Sequence, residues 1–187
     1  SGQEKNLLLS KDELERKKIK FYNTNRGGDI TFHGYGQIVG YPVFDLENFY
    51  TDINRYLRAL EEIVISTLKL YKISSKRSPG ETGVWLQPND LNSRKICAIG
   101  VKTSRWVTMH GFALNVDTDL RYYDYIIPCG IKGKGITSIN KEIRKDVSIN
   151  EVKKKLLKNI KKTFGGNLIF NVWKSVDNYV IFLWTHN

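Results

Sequence analysis

The sequence predicts an α+β domain. Runs rich in β-branched and aromatic residues crowd the stretch between Ile19 and Val116. Helix-like periods are segregated from them, and strands and helices do not alternate as a doubly wound sheet requires. Ser10 followed by Glu13 is a capping box opening a short polar helix to about Lys18. Strands are expected at Ile19–Tyr22, Gln37–Phe44, Gly83–Leu86, Arg94–Val101 and Trp106–Val116, each bounded by Gly, Pro, Asn or Asp. From about Glu47 to Tyr71, apolar residues such as Phe49, Ile53, Tyr56, Leu60, Val64 and Leu68 recur at three- and four-residue steps. They predict one long amphipathic helix. Ser148 with Glu151 reads as a second capping box, before a helix with Val152, Leu156, Ile160 and Phe164 on its apolar face and Gly165-Gly166 at its end.

At 187 residues the chain has room for one domain of the usual roughly 100–200 residues, and 41% hydrophobic content is enough for a core, which excludes disorder for most of it. Thirty Lys and Arg against nineteen Asp and Glu give +11, a surface suited to an acidic partner. Two cysteines make no disulfide framework and no Cys-x-x-Cys zinc pair, so a reducing, cytoplasmic setting is expected. Nothing reads as a signal peptide. The greasiest stretch, Leu168 to Trp184, carries Lys174 and Asp177 and falls just short of a membrane span, so no membrane partner is expected. Lys153 to Lys162 holds six lysines and no acid. That run is either the solvated face of a helix or a docking face for an acidic partner.

Three glycine-punctuated segments carry the candidate chemistry. The first, RGGDITFHGYGQ (26–37), is a glycine-rich hairpin or a backbone that a ligand approaches closely; it is neither a P-loop nor a dinucleotide fingerprint. The second, Lys95 to Gly100, sets a lysine at the head of an apolar strand, either a snorkelling edge residue or a group serving a nearby nucleophile. The third, from Thr108 to Asn115, continues to Pro128-Cys129-Gly130, a turn that presents a thiol, whereas Cys97 between Ile96 and Ala98 reads as a small buried hydrophobe.

In this order and spacing, RGGDITFHGYGQ (26–37), GVWL (83–86), RKICAIG (94–100), TMHGFALNV (108–116) and PCGI (128–131) resemble the octanoyltransferase family of lipoate biosynthesis, also called lipoyl(octanoyl) transferase or lipoate-protein ligase B. The likeness runs over about residues 5–164 and includes GYPVFDL (40–46). It implies a mixed sheet flanked by helices, as in the biotin and lipoate protein ligase catalytic domain, over residues 1–165, with 166–187 unassigned. It implies Cys129 as the acyl-thioester nucleophile and Lys95 as the neighbour that lowers its pKa and handles protons. It also places substrate contacts at Arg26, Gly27, Gly28, Asp29, Ile30, Thr31, Phe32 and His33, at Ala98, Ile99 and Gly100, and at Gly111, Phe112 and Ala113. Phe32, Ile99, Phe112 and Leu114 are expected to line the acyl pocket. Gly27–Gly28 and Cys129–Gly130 are expected to supply backbone donors for the tetrahedral intermediate. His33 and His110 read as hydrogen-bonded scaffold or as proton carriers.

The implied reaction moves an octanoyl group from octanoyl-acyl carrier protein to a lysine of lipoyl domains, those of 2-oxoacid dehydrogenase complexes and the glycine cleavage H protein. Thioester-to-amide transfer is downhill, so no ATP, metal or other cofactor is expected, and the enzyme is expected to act as a monomer without nucleic acid. Two departures stand out. Tyr35 replaces the proline of the family's HGPGQ. The family's opening several dozen residues have no counterpart ahead of Gly2–Leu9, so a chain incomplete at its N-terminus, with an exposed sheet edge, is expected. Competing readings are an ATP-dependent lipoate or biotin ligase, which needs no cysteine nucleophile, and a basic nucleic-acid-binding module, for which no motif is present.

Overall fold

A computed structural model describes residues 4–127, 134–165, 167–171 and 179–185. Among the described residues, eight strands form one sheet: β1 (Gln37–Val43), β2 (Lys76–Ser78), β3 (Glu81–Leu86), β4 (Arg94–Ser104), β5 (Val107–Asn115), β6 (Gly135–Ile136), β7 (Asn167–Asn171) and β8 (Tyr179–Thr185). The order is β2-β3-β4-β5-β1-β8-β7, with β6 beside β4. Pairing is antiparallel except for β1 with β8 and β4 with β6. The sheet is therefore mixed, as the resemblance implied. β8 pairs with β1 on the side opposite β5.

The helices are α1 (Lys11–Arg16), α2 (Ile53–Lys69), α3 (Ile139–Ile143) and α4 (Ile149–Phe164). The capping box at Ser10 and Glu13 forms with both reciprocal bonds. Ser148 occupies the N-cap of α4, but its side chain makes no capping bond, contrary to expectation. The long helix begins later than its periodicity suggests. Asp45 caps a separate 3-10 turn over Leu46–Asn48, and Asp52 then caps α2 through the Arg55 N–H at 3.0 Å. Two Asx side chains offering local hydrogen bonds split one apolar period into two elements. Ile19–Tyr22 is no strand. It is irregular chain without a ladder partner among the described residues, and it lines the cavity described below.

α2 and α4 pack together against one face of the sheet. The core there joins Leu60, Val64 and Leu68 of α2 to Leu156 and Ile160 of α4 and to Ile38, Ile96, Cys97 and Leu114 of the strands. The opposite face is covered by chain from residues 7–35 and by the 3-10 helix Leu120–Tyr125, with a smaller apolar cluster at Ile30, Tyr123 and Ile126. The lysines of α4 thus belong to the helical layer, across the sheet from this second cluster.

One buried charge ties the helical layer to the sheet. Glu61 of α2 is fully buried and accepts from the Gly83 N–H of β3 at 3.0 Å, from Arg58 at 2.7 Å and from Arg77 at 3.0 Å. Gly83 has φ +113°, and a Cβ there would stand 2.5 Å from the Cys97 carbonyl oxygen, so β3 can approach β4 here only with glycine. Glu61→Leu leaves the Gly83 N–H without an acceptor inside the protein. We expect a loss of about 1–3 kcal/mol, the cost of one unsatisfied buried donor, read as a lower urea midpoint. Glu61→Gln, which keeps an acceptor oxygen, should lose less; equal stability of all three proteins would show that the carboxylate does not anchor β3.

Candidate active site

The geometry of Lys95 follows from a register shift. β3 pairs with β4 as Leu86 with Arg94 and Trp85 with Lys95, and then as Val84 with Cys97, which leaves Ile96 as an extra residue. This β-bulge resets the alternation of side chains along β4. Cys97, Ile99 and Val101 face the helical core, and the bulged Ile96 joins them. A regular strand would have sent Lys95 to that same side. The bulge instead aligns it with Ala98 and Gly100 on the other face, where it lines the cavity.

Lys95 is only 5% exposed there, its ammonium 4.5 Å from the centroid of Trp85. Lys134 reaches the same ring at 5.0 Å and places its ammonium 2.8 Å from both oxygens of Glu81. Burial alone would raise the Glu81 carboxyl. Hydrogen bonds from Lys134 and Ser78, with the positive charges of Lys134 and Lys95, hold it below the usual carboxylate range instead. The site therefore contains two ammonium groups, one carboxylate and an indole face that favours cations.

A cavity of about 1180 Å³ extends from Lys95 across the open face of the sheet. It brings together Arg26, Gly28, Asp29, Ile30, Thr31, Phe32 and His33 with Ala98, Ile99 and Gly100 and with Gly111, Phe112 and Ala113. Gly27 is the exception among the expected contacts. Its N–H donates to the Val101 carbonyl at 3.1 Å, so that donor is already engaged and cannot serve an oxyanion. Leu114, expected in the acyl pocket, is fully buried in the helical core, because alternation along β5 puts it opposite Ala113. Phe32 does line the cavity and stacks on Tyr122 at 4.7 Å, whereas Ile99 and Phe112 border it from the strands while the same alternation that buries Leu114 places them in the helical core.

Several expected residues have internal duties. Asp29 accepts from Asn6 Nδ2 at 2.6 Å and from the Ile30 N–H at 2.7 Å, tying the N-terminal turn to the glycine-rich segment. His33 contacts Gln37 Oε1 at 3.4 Å, and the protein packed round its ring holds the imidazole below its ordinary value. Tyr35, the departure from the family pattern, is 81% exposed at its turn and disturbs no packing. Burial pushes the Cys97 thiol up, and it lies in the core, as expected of an unreactive cysteine.

Sequence reasoning missed a polar network. Gln37 Nε2 donates to Asn115 Oδ1 at 2.8 Å, to Tyr123 OH at 3.0 Å and to the Phe32 carbonyl at 3.1 Å, while Asn115 Nδ2 donates to the Thr137 carbonyl at 2.9 Å. Gln37 ends one quoted motif and Asn115 is the next-to-last residue of another, and an amide at or beside each motif end was the available signal. Glu81, Lys134 and the lining residues Leu7, Leu9 and Leu14 had no signal, since only folding brings them to the site.

Cys129, with Pro128, Gly130 and Lys132, lies outside the described residues. On either side of that segment, the Ile127 N–H donates to the Asn6 carbonyl at 2.8 Å, and Gly135 and Ile136 pair with Arg94 and Lys95.

The lipoyl protein ligase A/B catalytic domain matches residues 1–161. The octanoyltransferase of Christiangramia forsetii is 60% identical over 169 residues, covering 90% of this chain and 72% of that protein. That of Flavobacterium johnsoniae is 58% identical over 170 residues, covering 90% of this chain and 73% of that one. Among solved structures, a bipartite lipoate protein ligase from Thermoplasma acidophilum aligns with a TM-score of 0.61 at 20% identity, over 81% of this chain and 60% of that one. Lipoate-protein ligase A bound with ATP aligns at 0.60 and 18%, over 81% and 62%. The structures establish the fold, and the sequence relatives establish the lineage: the chain belongs to the octanoyltransferase family of acyltransferase enzymes, built on the lipoyl protein ligase A/B catalytic domain.

Proposed function

We propose that this chain transfers an octanoyl group from octanoyl-acyl carrier protein to a lysine of lipoyl domains, through a thioester on Cys129. The observation that carries the reading is the bulge-directed Lys95, whose buried ammonium lines a large cavity on the strand that receives the chain shortly after Pro128-Cys129-Gly130.

In the first half-reaction the Cys129 thiolate attacks the donor's thioester carbonyl. The carbonyl π electrons move to oxygen, the tetrahedral intermediate collapses, and the pantetheine thiolate leaves and takes a proton. A free thiol titrates near 8.5, so a positive charge within about 4–6 Å favours the nucleophilic form. In the second half-reaction the target lysine must first give up the proton of its ammonium. Its amine then attacks the acyl-enzyme, the adduct nitrogen releases its remaining extra proton to solvent, and the intermediate collapses to the amide with Cys129 leaving as a thiolate. Lys95 is assigned both transfers: its ammonium gives the proton to the leaving pantetheine thiolate, and the amine that remains takes the proton of the target lysine's ammonium. The steps need no ATP, because a thioester is converted to an amide.

Charge placement favours docking at the cavity. Lys17, Lys18, Lys20 and Arg26 line it, whereas the lysines of α4 lie in the helical layer on the other face. Attraction of acidic protein partners therefore centres on the first set.

Incubation with octanoyl-acyl carrier protein without ATP should add one octanoyl group to the protein by intact mass. The adduct should be lost in Cys129→Ala and kept in Cys97→Ala; an adduct in Cys129→Ala would overturn the nucleophile. For Lys95, alkylation of Cys129 against pH separates charge from proton transfer. Lys95→Ala should move the profile upward. Lys95→Arg should leave it nearly in place but still fail to turn over, since a guanidinium does not act as a base near neutrality. Salt tests the docking face. Transfer from carrier protein should fall steeply as ionic strength shortens the Debye length to about 8 Å near 0.15 M, and transfer from a small thioester should not. Neutralising Lys17, Lys18 and Lys20 should flatten that slope; flattening instead on neutralising Lys153, Lys154 and Lys158 would move the docking face to α4.

A further inference from the structure

Alternation along β5 breaks once, at His110. Its ladder partner across β4 is Val101, a core residue, and regular pleating would send both to the helical face with Phe112 and Leu114. His110 instead has φ +62°, in the left-handed region that residues other than glycine visit uncommonly, with asparagine, aspartate and histidine the most frequent of them. The ring comes out on the cavity face, where Nε2 lies 3.3 Å from Asn25 Oδ1 and the ring meets the Tyr41 ring edge-on at 6.2 Å. Strain of this kind persists only where surrounding structure holds it, and it clusters at functional sites.

The position of the ring gives the strain a purpose. Moving away from Lys95, the open face of the sheet offers Ala98 and Ala113, then Gly100, side chains too small to fill the groove. At Gly100 the groove narrows. A Cβ there would stand 2.5 Å from the Gly27 carbonyl oxygen and 3.0 Å from Arg26 Nη1, so the 26–28 segment lies directly on the strand. Its Gly27 N–H is bonded to the Val101 carbonyl, and Arg26 Nη1 is held on the Gly27 carbonyl at 3.0 Å. His110 stands beside this crossing, at the level of Val101. Burial, with the charges of Arg26 and Lys102, holds its imidazole below the ordinary value, so near neutral pH the ring is uncharged. From Lys95 to this point is roughly 15–20 Å of strand at about 3.3 Å per residue.

We propose that His110, backed by Asn25 and the Arg26–Gly27 crossing, is the end wall of the acyl groove and sets the chain length the enzyme accepts. The inference rests on the acyl-transfer reading above. A medium-length chain anchored as a thioester near Lys95 fills the small-residue groove and stops with its terminal methyl against the ring. A longer chain has to displace the ring or press methylenes against the Arg26 guanidinium and strip its hydrogen bonds, which is costly. His110 is thus a specificity-determining residue and takes no part in bond making.

The test uses the full chain and its variants His110→Gly and His110→Asn, both of which tolerate a positive φ. Each is given pantetheine thioesters with saturated chains from hexanoyl to tetradecanoyl, and acyl-enzyme formation is followed by intact mass and by kcat/KM. In His110→Gly the ratio of kcat/KM for dodecanoyl over octanoyl should rise about tenfold or more, the scale of one or two methylenes in an apolar pocket. His110→Asn should fall between it and the unmodified protein. An unchanged ratio in both variants overturns the end-wall assignment. Should His110→Gly fail to fold, the ratio in His110→Asn decides alone. If the unmodified protein accepts no acyl chain of any length, the acyl-transfer reading fails instead, and the two failures are distinguishable.

Discussion

One extra residue in β4 decides where the chemistry can be. Ile96 has no counterpart on β3, and because strand side chains alternate, this single insertion turns Lys95 from the helical core to the open face. A lysine left on the core face would meet Val84, Leu86 and the stripe of α2, where its charge would have to be neutralised or paired. On the open face it meets Trp85 and lies near the charge of Glu81. Gly83 and Glu61 hold the bulge from behind: the glycine lets β3 approach the Cys97 carbonyl, and the buried carboxylate takes its N–H.

The same division organises the rest of the molecule. The face toward α2 and α4 is conventional core, with Cys97 and Leu114 fully inside it. The other face is floored by alanine and glycine and roofed by irregular chain, so it can hold a ligand without unpacking the core. The cavity's polar ends both arise where alternation fails, at Ile96 near Lys95 and at His110 near Arg26. The roof is pinned by side-chain hydrogen bonds and by the short backbone bridge of Leu7 to Ile126, since it forms no longer ladder among the described residues. Gln37, Asn115 and Tyr123 join the end of the glycine-rich segment to β5 and to Thr137, and Asn6 joins the N-terminal turn to Asp29 and Ile127. Such buried networks rigidify a site when every member is satisfied.

The layers also sort the charge. The six-lysine run on α4 is the feature most visible in the linear sequence, yet it decorates the side away from the cavity. The cavity draws its positive residues from three places in the chain, Lys17–Lys20, Arg26 and Lys95, and composition could not distinguish these sets.

By itself the sequence determined what local chemistry dictates. Capping at Ser10, the stripes of α2 and α4, strands β1, β3, β4 and β5 and the burial of Cys97 follow from spacing and side-chain type, and the motifs carried the family. It misread Ile19–Tyr22, which has strand-like residues but no neighbour to complete a ladder, and the start of α2, where Asp45 and Asp52 compete with one continuous period. It also assigned Leu114 and Gly27 to the substrate, although alternation buries the first and Val101 occupies the N–H of the second. Tertiary structure alone decided the side of the sheet on which Lys95 and His110 emerge. A one-residue register shift and a single left-handed φ depend on contacts with Val84, Gly83 and Asn25, residues distant in the chain whose proximity no local pattern encodes.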